Sequence, residues 1–227
     1  MTQKAAVIFG ATGLTGSQLL GELLDSEHYA NVYAFTRRSL EVEHEKLTVT
    51  ELPLEKISAE DIQHLPGSLD VFLCLGTTIS KAGSKDAFRK VDYFLPMKLV
   101  NLFKNKSDHF LLISSLGADP ASSSFYLSVK GQLEEDLRVL DINQLTIFRP
   151  SLLKGDRHER RFLEGVSIKL SGLMTPLFNL KFMQKYRPTE SRDLARLMYK
   201  VAVEGVGLSS ARTNVISSDM ITRLLTP

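Results

Sequence analysis

The chain has 227 residues, of which 43% are hydrophobic and 24% charged, a composition that excludes a disordered or fibrous protein. Its 28 basic and 26 acidic residues give a formal net charge of +2, which excludes the strongly basic field of a nucleic-acid binder or an anionic-membrane binder. The length favours one domain over residues 1–227, and we expect a small-molecule substrate, with no nucleic-acid or membrane partner.

Short apolar runs alternate with longer amphipathic stretches, as in parallel strands joined by covering helices. In chain order the pattern predicts a strand at 5–9, a helix at 14–24, strands at 31–36, 47–52 and 71–75, a helix at 85–104 with a kink at Pro96, a strand at 109–113, a helix at 126–140, a strand at 145–148, a helix at 191–203 and a strand at 213–216. This order predicts an α/β fold with a single doubly wound parallel sheet. The irregular stretch 151–190 is expected to form a small C-terminal substrate cap.

A glycine-rich turn, Gly10-Ala11-Thr12-Gly13-Leu14-Thr15-Gly16, joins the first predicted strand to the first helix. The first glycine permits a sharp turn, the second lets the backbone approach a pyrophosphate, and the third allows close helix–strand packing, while the helix N-terminus offers free N–H groups. The turn therefore predicts a dinucleotide site, although glycines also serve ordinary turns. The predicted contacts are Gly10, Thr12, Gly13, Leu14, Thr15 and Gly16. A phosphate-loop NTPase is excluded, because no lysine follows Gly16.

The end of the second predicted strand bears on the choice of cofactor. NAD binders place an acidic residue there, against the ribose 2′-hydroxyl, whereas this chain has Arg37 and Arg38. Guanidinium groups suit a 2′-phosphate, so we predict NADP(H) as the cofactor. The alternative is that both arginines are solvated residues at the start of a loop.

Three residue types suited to proton transfer follow the fifth predicted strand. Tyr126 and Lys130 are four residues apart on a predicted helix and therefore share a face, and the strand before them ends at Ser114-Ser115. An ammonium favours the phenolate form of a nearby tyrosine, whose ordinary pKa is near 10, so Tyr126 is predicted to act as acid/base. Ser115, or Ser114 beside it, would hydrogen-bond the substrate oxygen, and Lys130 would also hold the cofactor ribose. Alternatively, the serines cap a loop and Tyr126 is a half-buried helix residue.

These residues resemble the short-chain dehydrogenase/reductase superfamily, in an atypical branch with a shortened glycine turn. Over most of residues 5–160 the sequence is also similar to the Tat-interacting-protein family of oxidoreductase-like proteins. The motifs that carry this similarity are the glycine turn, Arg37-Arg38, and residues 75–78, 81–83, 114–119, 126–131 and 148–157.

The resemblance implies an NAD(P)-binding Rossmann fold, with Gly76, Thr77 and Thr78 along the cofactor and Pro150 and Leu152 near the nicotinamide. Two features depart from the superfamily. The asparagine that completes a proton relay in many members has no clear counterpart, since the helix after the fourth strand offers Asp92, an acid rather than an amide, and the serines precede Tyr126 by only 11 or 12 residues. We therefore expect an NADP-dependent oxidoreductase that acts on a small carbonyl or alcohol. The alternative is a non-catalytic NADP(H)-binding regulatory or redox-sensing protein.

Cysteine and histidine usage bears on compartment and metals. Cys74 is the single cysteine, which excludes an internal disulfide and is typical of a reducing compartment. On this ground we expect a cytoplasmic protein, and we recognise no export signal and no apolar run long enough for a membrane helix. The five histidines are scattered without metal-ligand spacing, so we expect no metal site. The chain is expected to be a monomer or a homodimer.

Overall fold

The computed structural model describes residues 4–155 and 186–225. Seven strands lie in one parallel sheet: β1 Lys4–Phe9, β2 Tyr29–Thr36, β3 Leu47–Glu51, β4 Leu69–Leu73, β5 Ser107–Ile113, β6 Leu145–Arg149 and β9 Thr213–Ser217. Their order is β3-β2-β1-β4-β5-β6-β9, so the chain builds outward from β1 in one direction and then from β4 in the other. A separate parallel pair is formed by β7 Leu153–Lys154 and β8 Thr189–Glu190.

Helices connect the strands of the large sheet. They are α1 Leu14–Asp25, α2 Ala59–Ile62, α3 Ile79–Ala82, α4 Lys85–Arg89, α5 Leu95–Phe103, α6 Phe125–Arg138, α7 Ser191–Glu204 and α8 Ser218–Leu225, with a 3-10 turn at Leu54–Lys56 and a π-helical turn at Lys90–Phe94. Apolar residues of α5 and α6 pack on one face of the sheet, and those of α1 and α7 pack on the other. The predicted doubly wound α/β fold is therefore confirmed.

All seven predicted strands and all four predicted helices are present, and their ends lie within two residues of the prediction. The fourth strand differs most: it covers Leu69–Leu73 rather than 71–75, because Leu69 and Asp70 already pair with β1. The short elements α2, α3, β7 and β8 escaped prediction because they span too few residues to show a periodic pattern. Helix α8 was missed as well.

The predicted helix 85–104 is not regular. A π-helical turn, Lys90–Phe94, interrupts it immediately before Pro96, where we expected a kink. Proline has no N–H to donate and its ring crowds the preceding turn, so a local widening of the helix at this point relieves both problems. Asp92 lies on this π-helical turn, and its side chain is buried.

Most of the predicted cap lies outside the described residues. Residues 151–155 and 186–190 carry β7 and β8, with Ser151 Oγ donating to the Arg187 carbonyl. The central part of the predicted cap, residues 156–185, is not among the described residues, so the cap and the one-domain organisation stay predictions. In the described part of the chain, no helix combines the length and apolarity that a membrane span requires.

The edge of the sheet where the strands begin contains buried polar groups. Lys4 Nζ donates to Asp70 Oδ1 at 3.1 Å, and the Tyr29 hydroxyl donates to Asp70 Oδ2 at 2.7 Å. His109 Nε2 lies 2.8 Å from the Thr146 hydroxyl. Burial, assisted by the charge of Lys4, lowers the pKa of His109 from 6.5 to about 4.

His109 is therefore expected to make stability depend on pH. The unfolded histidine binds a proton below about pH 6.5 whereas the folded one stays neutral to about pH 4, so stability is lost as the pH falls between these values. At 1.36 kcal/mol per pKa unit the loss is about 3 kcal/mol. Urea unfolding at pH 4.5 and 7 should show a smaller pH difference for His109→Gln than for wild type. The exposed His44→Gln is the control, and an unchanged difference in His109→Gln would contradict the assignment.

Candidate functional site

The glycine turn brings the backbone of three segments into close contact. Gly10 has φ of +85°, and a Cβ on it would lie 2.4 Å from the Cys74 carbonyl oxygen. A Cβ on Gly16 would lie 2.1 Å from the Gly10 carbonyl oxygen. Both positions therefore exclude any side chain, since backbone atoms cannot yield as a flexible side chain does. The N–H of Gly13 donates to the Gly10 carbonyl at 2.8 Å, which closes the turn.

Helix α1 begins at Leu14, and its first turn has N–H groups that no side chain caps. Its N-cap, Gly13, supplies no side-chain cap, so the N–H groups of the first turn lack that partner. The hydroxyl of Thr15 is buried and has no hydrogen-bond partner among the described residues. Backbone N–H groups, a helix dipole and an orphaned hydroxyl fit the oxygens of a pyrophosphate.

A groove continues from the turn across the ends of β1 and β2. It is lined by Gly10, Ala11, Thr12, Phe35, Thr36, Arg37, Leu54 and Leu75. Arg37 and Arg38 are both exposed, and within the described residues neither forms an ion pair. The Thr36 hydroxyl donates to the Arg38 carbonyl at 2.7 Å, which fixes the backbone between the arginines. Of the predicted arginine pair, Arg37 therefore lines the groove, and Arg38 follows it in sequence.

The segment after β4 connects the groove to the π-helical turn. The N–H of Thr77 donates to Asp92 Oδ2 at 2.9 Å, and a Cβ on the exposed Gly76 would lie 3.7 Å from Asp92 Oδ1. The Thr78 hydroxyl accepts from the Lys81 N–H at 3.2 Å and so caps α3. Of the three residues implied by the resemblance, Gly76 and Thr77 lie against Asp92, while the side chain of Thr78 is used locally.

Tyr126, Lys130 and Glu134 form a stripe along α6, at successive intervals of four residues. Lys130 Nζ lies 2.7 Å from Asp92 Oδ1, with 5% of the lysine side chain and none of the aspartate side chain exposed. Burial opposes the charged form of Lys130, but Asp92, Tyr126 and Glu134 together outweigh burial, and the pKa of Lys130 is raised. The Tyr126 ring packs against Phe88, with centroids 5.5 Å apart.

The two serines at the end of β5 have different surroundings. Ser114 is buried, and its hydroxyl donates to Glu134 Oε1 at 2.5 Å. Glu134 also accepts from Arg149 Nη2 at 2.6 Å and from Arg138 Nη2 at 3.3 Å. Ser115 is half-buried, and among the described residues its hydroxyl makes only a long contact of 3.4 Å with the Leu116 carbonyl. Ser114 is therefore committed to holding β5 against α6, whereas the Ser115 hydroxyl is available to a ligand.

The loop that carries Ser115 is clamped onto α6. The Asp119 N–H donates to the Leu127 carbonyl at 3.2 Å, and Ser128 Oγ donates to the Pro120 carbonyl at 3.1 Å. A Cβ on Gly131 would lie 2.2 Å from the carbonyl carbon of Asp119, so only glycine permits this approach.

Pro150 and Leu152 belong to the segment that follows β6. The Leu116 N–H donates to the carbonyl of the buried Pro150 at 2.8 Å, which places the segment after β6 beside the serine loop. The carbonyl of Leu152 accepts from the Thr189 N–H at 2.9 Å, and the Leu152 side chain is 45% exposed.

Sequence reasoning missed several members of this site. The sequence marks Asp92 only as a departure from the superfamily pattern. Its partner Lys130 is distant in sequence, so no local pattern predicts the ion pair. Glu134 could have been found, because it continues the four-residue spacing of Tyr126 and Lys130. Arg149 gives no such signal. Within the described ranges, no cluster of three or more histidine, cysteine, aspartate or glutamate side chains is arranged to hold a metal ion.

The sheet order and the covering helices define the class of fold, a Rossmann-type α/β fold, and solved structures share it. A short-chain dehydrogenase family protein from Francisella tularensis matches with a TM-score of 0.67 and 13% identity over 97% of this chain and 100% of its own. MoeE5, solved with UDP-glucuronic acid and NAD, matches with a TM-score of 0.65 and 16% identity over 94% of this chain and 75% of its own.

The chain belongs to the HIM1 family, whose model matches residues 38–183, more than half of its length. Protein HTATIP2 of Rattus norvegicus is 38% identical over 76% of this chain and 72% of its own. Protein FMP52, mitochondrial, of Candida albicans is 31% identical over 96% of both chains. The resemblance to the Tat-interacting-protein family is thereby confirmed.

The expectation of a cytoplasmic protein is wrong. The FMP52 relatives from Debaryomyces hansenii, Candida albicans and Candida glabrata are all named as mitochondrial. The error came from Cys74: a lone unpaired cysteine separates reducing from oxidising compartments, but it does not separate one reducing compartment from another.

Proposed function

We propose that this protein is an NADP(H)-dependent oxidoreductase that interconverts a small carbonyl compound and its alcohol. The observation that carries the proposal is the buried Lys130 on the same helix face as Tyr126, beside the Ser115 loop, at the sheet edge that also bears the glycine turn. An ammonium, a phenol and an available hydroxyl at the carboxyl ends of parallel strands are the groups that carbonyl reduction requires. Because the FMP52 relatives are named as mitochondrial, we propose that this activity occurs in mitochondria.

The cofactor would be held chiefly by backbone. In this proposal, the N–H groups at the start of α1 and the Thr15 hydroxyl bind the pyrophosphate, Arg37 and Arg38 bind a 2′-phosphate, and Gly76 and Thr77 border the cofactor on the β4 side. When bound, a nicotinamide dinucleotide supplies or accepts the hydride. Solved structures of the same fold include complexes with NAD, which supports the class of cofactor.

The proton would be handled by residues of this chain. The Tyr126 hydroxyl donates its proton to the carbonyl oxygen during reduction and takes a proton from the alcohol during oxidation. The Ser115 hydroxyl donates a hydrogen bond to the same oxygen and so orients the substrate. Lys130 stabilises the phenolate that remains on Tyr126, because opposite charges favour one another in a site with little water.

Replacing Arg37 and Arg38 by alanine is expected to weaken NADPH binding by about 10–100-fold. Each charge-assisted hydrogen bond to phosphate contributes about 1.5–3 kcal/mol, and the solvent exposure of the two arginines reduces this contribution. NADH affinity should change little. Calorimetric titration of both cofactors measures the difference, and the double variant Arg192→Ala/Arg196→Ala, an equal loss of charge at two exposed positions of α7, is the control. Equal wild-type affinities for NADPH and NADH would remove the assignment of these arginines.

The alternative is a protein that binds NADP(H) without turnover, in a regulatory or redox-sensing role. It is favoured by the Asp92–Lys130 ion pair, in which the ammonium proposed to assist Tyr126 is already engaged by a carboxylate. A panel of aldehydes, ketones and quinones separates the two functions. An enzyme oxidises NADPH with at least one of them, whereas binding without oxidation by any of them would favour the alternative.

A further inference from the structure

Lys130 carries a charge in a place where a lone charge is not tolerated. Its side chain is 5% exposed, and that of Asp92 is fully buried. An ammonium removed from water without a counter-charge sheds its proton rather than remain charged. The charge on Lys130 therefore depends on an anion that is buried with it.

The groups that act electrostatically on Lys130 are Asp92 of the π-helical turn and Tyr126 and Glu134 of α6. Tyr126 supplies a counter-charge only after it has lost its proton. The Glu134 carboxylate accepts hydrogen bonds from Arg149 and Arg138, so its charge is already compensated by two guanidinium groups.

Asp92 differs from Glu134 in its partners. One of its oxygens lies 2.7 Å from Lys130 Nζ, and the other accepts the Thr77 N–H at 2.9 Å. Among the described residues, Lys130 is the cation with which Asp92 pairs. The same carboxylate therefore joins the ammonium on α6 to the chain segment that follows β4.

We propose that Asp92 is a positioning residue of the acid/base centre, which keeps the Lys130 side chain charged and anchors its ammonium beside Thr77. Its importance for turnover rests on the function proposed above, whereas the ion pair and its effect on Lys130 do not. Asp92 thus serves as a fixed counter-charge that holds the ammonium on the helix face it shares with Tyr126.

The test is Asp92→Asn, which keeps the size of the side chain and an oxygen for the Thr77 N–H but removes the charge. In protein labelled with ¹³C at the lysine ε-carbon, the Lys130 resonance is identified by its absence from Lys130→Met. We expect it to titrate at least about 2 pH units lower in Asp92→Asn than in wild type, since Asp92 makes the largest of the contributions that offset burial. A Lys130 titration that is the same in both proteins would overturn the proposal.

Asp136→Asn is the matched control. It makes the same carboxylate-to-amide change on α6, where the Asp136 carboxylate accepts hydrogen bonds from Tyr93 and Gln132 rather than from Lys130. Its Lys130 resonance should titrate as in wild type. An equal shift in Asp136→Asn would show that general charge, and not the buried pair, controls the lysine, and would also overturn the proposal.

A second variant covers the case in which Asp92→Asn folds poorly. Adding Lys130→Met removes the buried ammonium together with its partner, so the double variant should melt at a higher temperature than Asp92→Asn alone. Equal or lower melting would contradict the proposal, because the defect would then not arise from an uncompensated lysine.

The lysine titration needs neither cofactor nor substrate, so it separates this inference from the proposed function. The expected shift in a protein without turnover would support the ion-pair role and count against the oxidoreductase. Where turnover is found, the alkaline limb of the kcat–pH profile should shift to lower pH in Asp92→Asn, with little change in KM for substrate. A purely structural role for Asp92 would leave the shape of that pH profile unchanged.

Discussion

Replacing Tyr126 by phenylalanine is expected to lower kcat by about 10²–10⁴-fold, the usual contribution of a positioned acid/base group. The ring should keep its place, because its packing against Phe88, with centroids 5.5 Å apart, does not involve the hydroxyl. Phenylalanine has no proton to exchange with the substrate oxygen, so the chemical step fails while the binding groove is intact. NADPH affinity should stay within a few-fold of wild type.

The measurement is NADPH oxidation with the best substrate of the panel, together with calorimetric NADPH binding. Tyr199→Phe is the matched control: its hydroxyl lies 2.9 Å from Ser26 Oγ, at the opposite end of α1 from the glycine turn, and its loss should leave kcat close to wild type. Unchanged turnover in Tyr126→Phe would eliminate Tyr126 as the acid/base. A loss of NADPH binding in that variant would instead indicate a role in holding the cofactor.

The sheet was predictable from sequence because its strands are short, apolar runs buried on both faces. β1 and β4 illustrate this: they pair in parallel through five residues each, and their apolar side chains alternate between the two core clusters. Such a pattern is local, as is the glycine turn that follows β1. Local sequence patterns were therefore sufficient to predict the fold and to locate the carboxyl edge of the sheet, where the candidate site lies.

The electrostatics of the site could not be predicted in the same way. Asp92 and Lys130 meet only because the π-helical turn and α6 pack together. Ser114 differs from Ser115 in its role because the Ser114 hydroxyl contacts Glu134. The residue type alone leaves these serines equivalent. Contacts between elements distant in sequence decide which groups are committed to the scaffold and which are available for chemistry.

Replacing Gly131 by alanine is expected to destabilise the protein by about 3 kcal/mol, the upper part of the usual range for overpacking. In helix interiors alanine is ordinarily more favourable than glycine by about 0.5–1 kcal/mol. Here, however, the added Cβ would lie 2.2 Å from the carbonyl carbon of Asp119 and 2.3 Å from the nitrogen of Pro120. Backbone atoms cannot rotate away, so the loop must move off α6.

Gly21→Ala provides the matched control, because Gly21 lies within α1 and a Cβ there would meet nothing within 4 Å. It should stabilise the protein by about 0.5–1 kcal/mol, so that the two glycine-to-alanine changes have opposite signs in urea unfolding. The loop displaced in Gly131→Ala carries Ser115, and turnover should fall further than the loss of stability explains. A Gly131→Ala variant as stable as wild type would show that the serine loop is not clamped, and Ser115 would then lose the fixed position on which its assigned role depends.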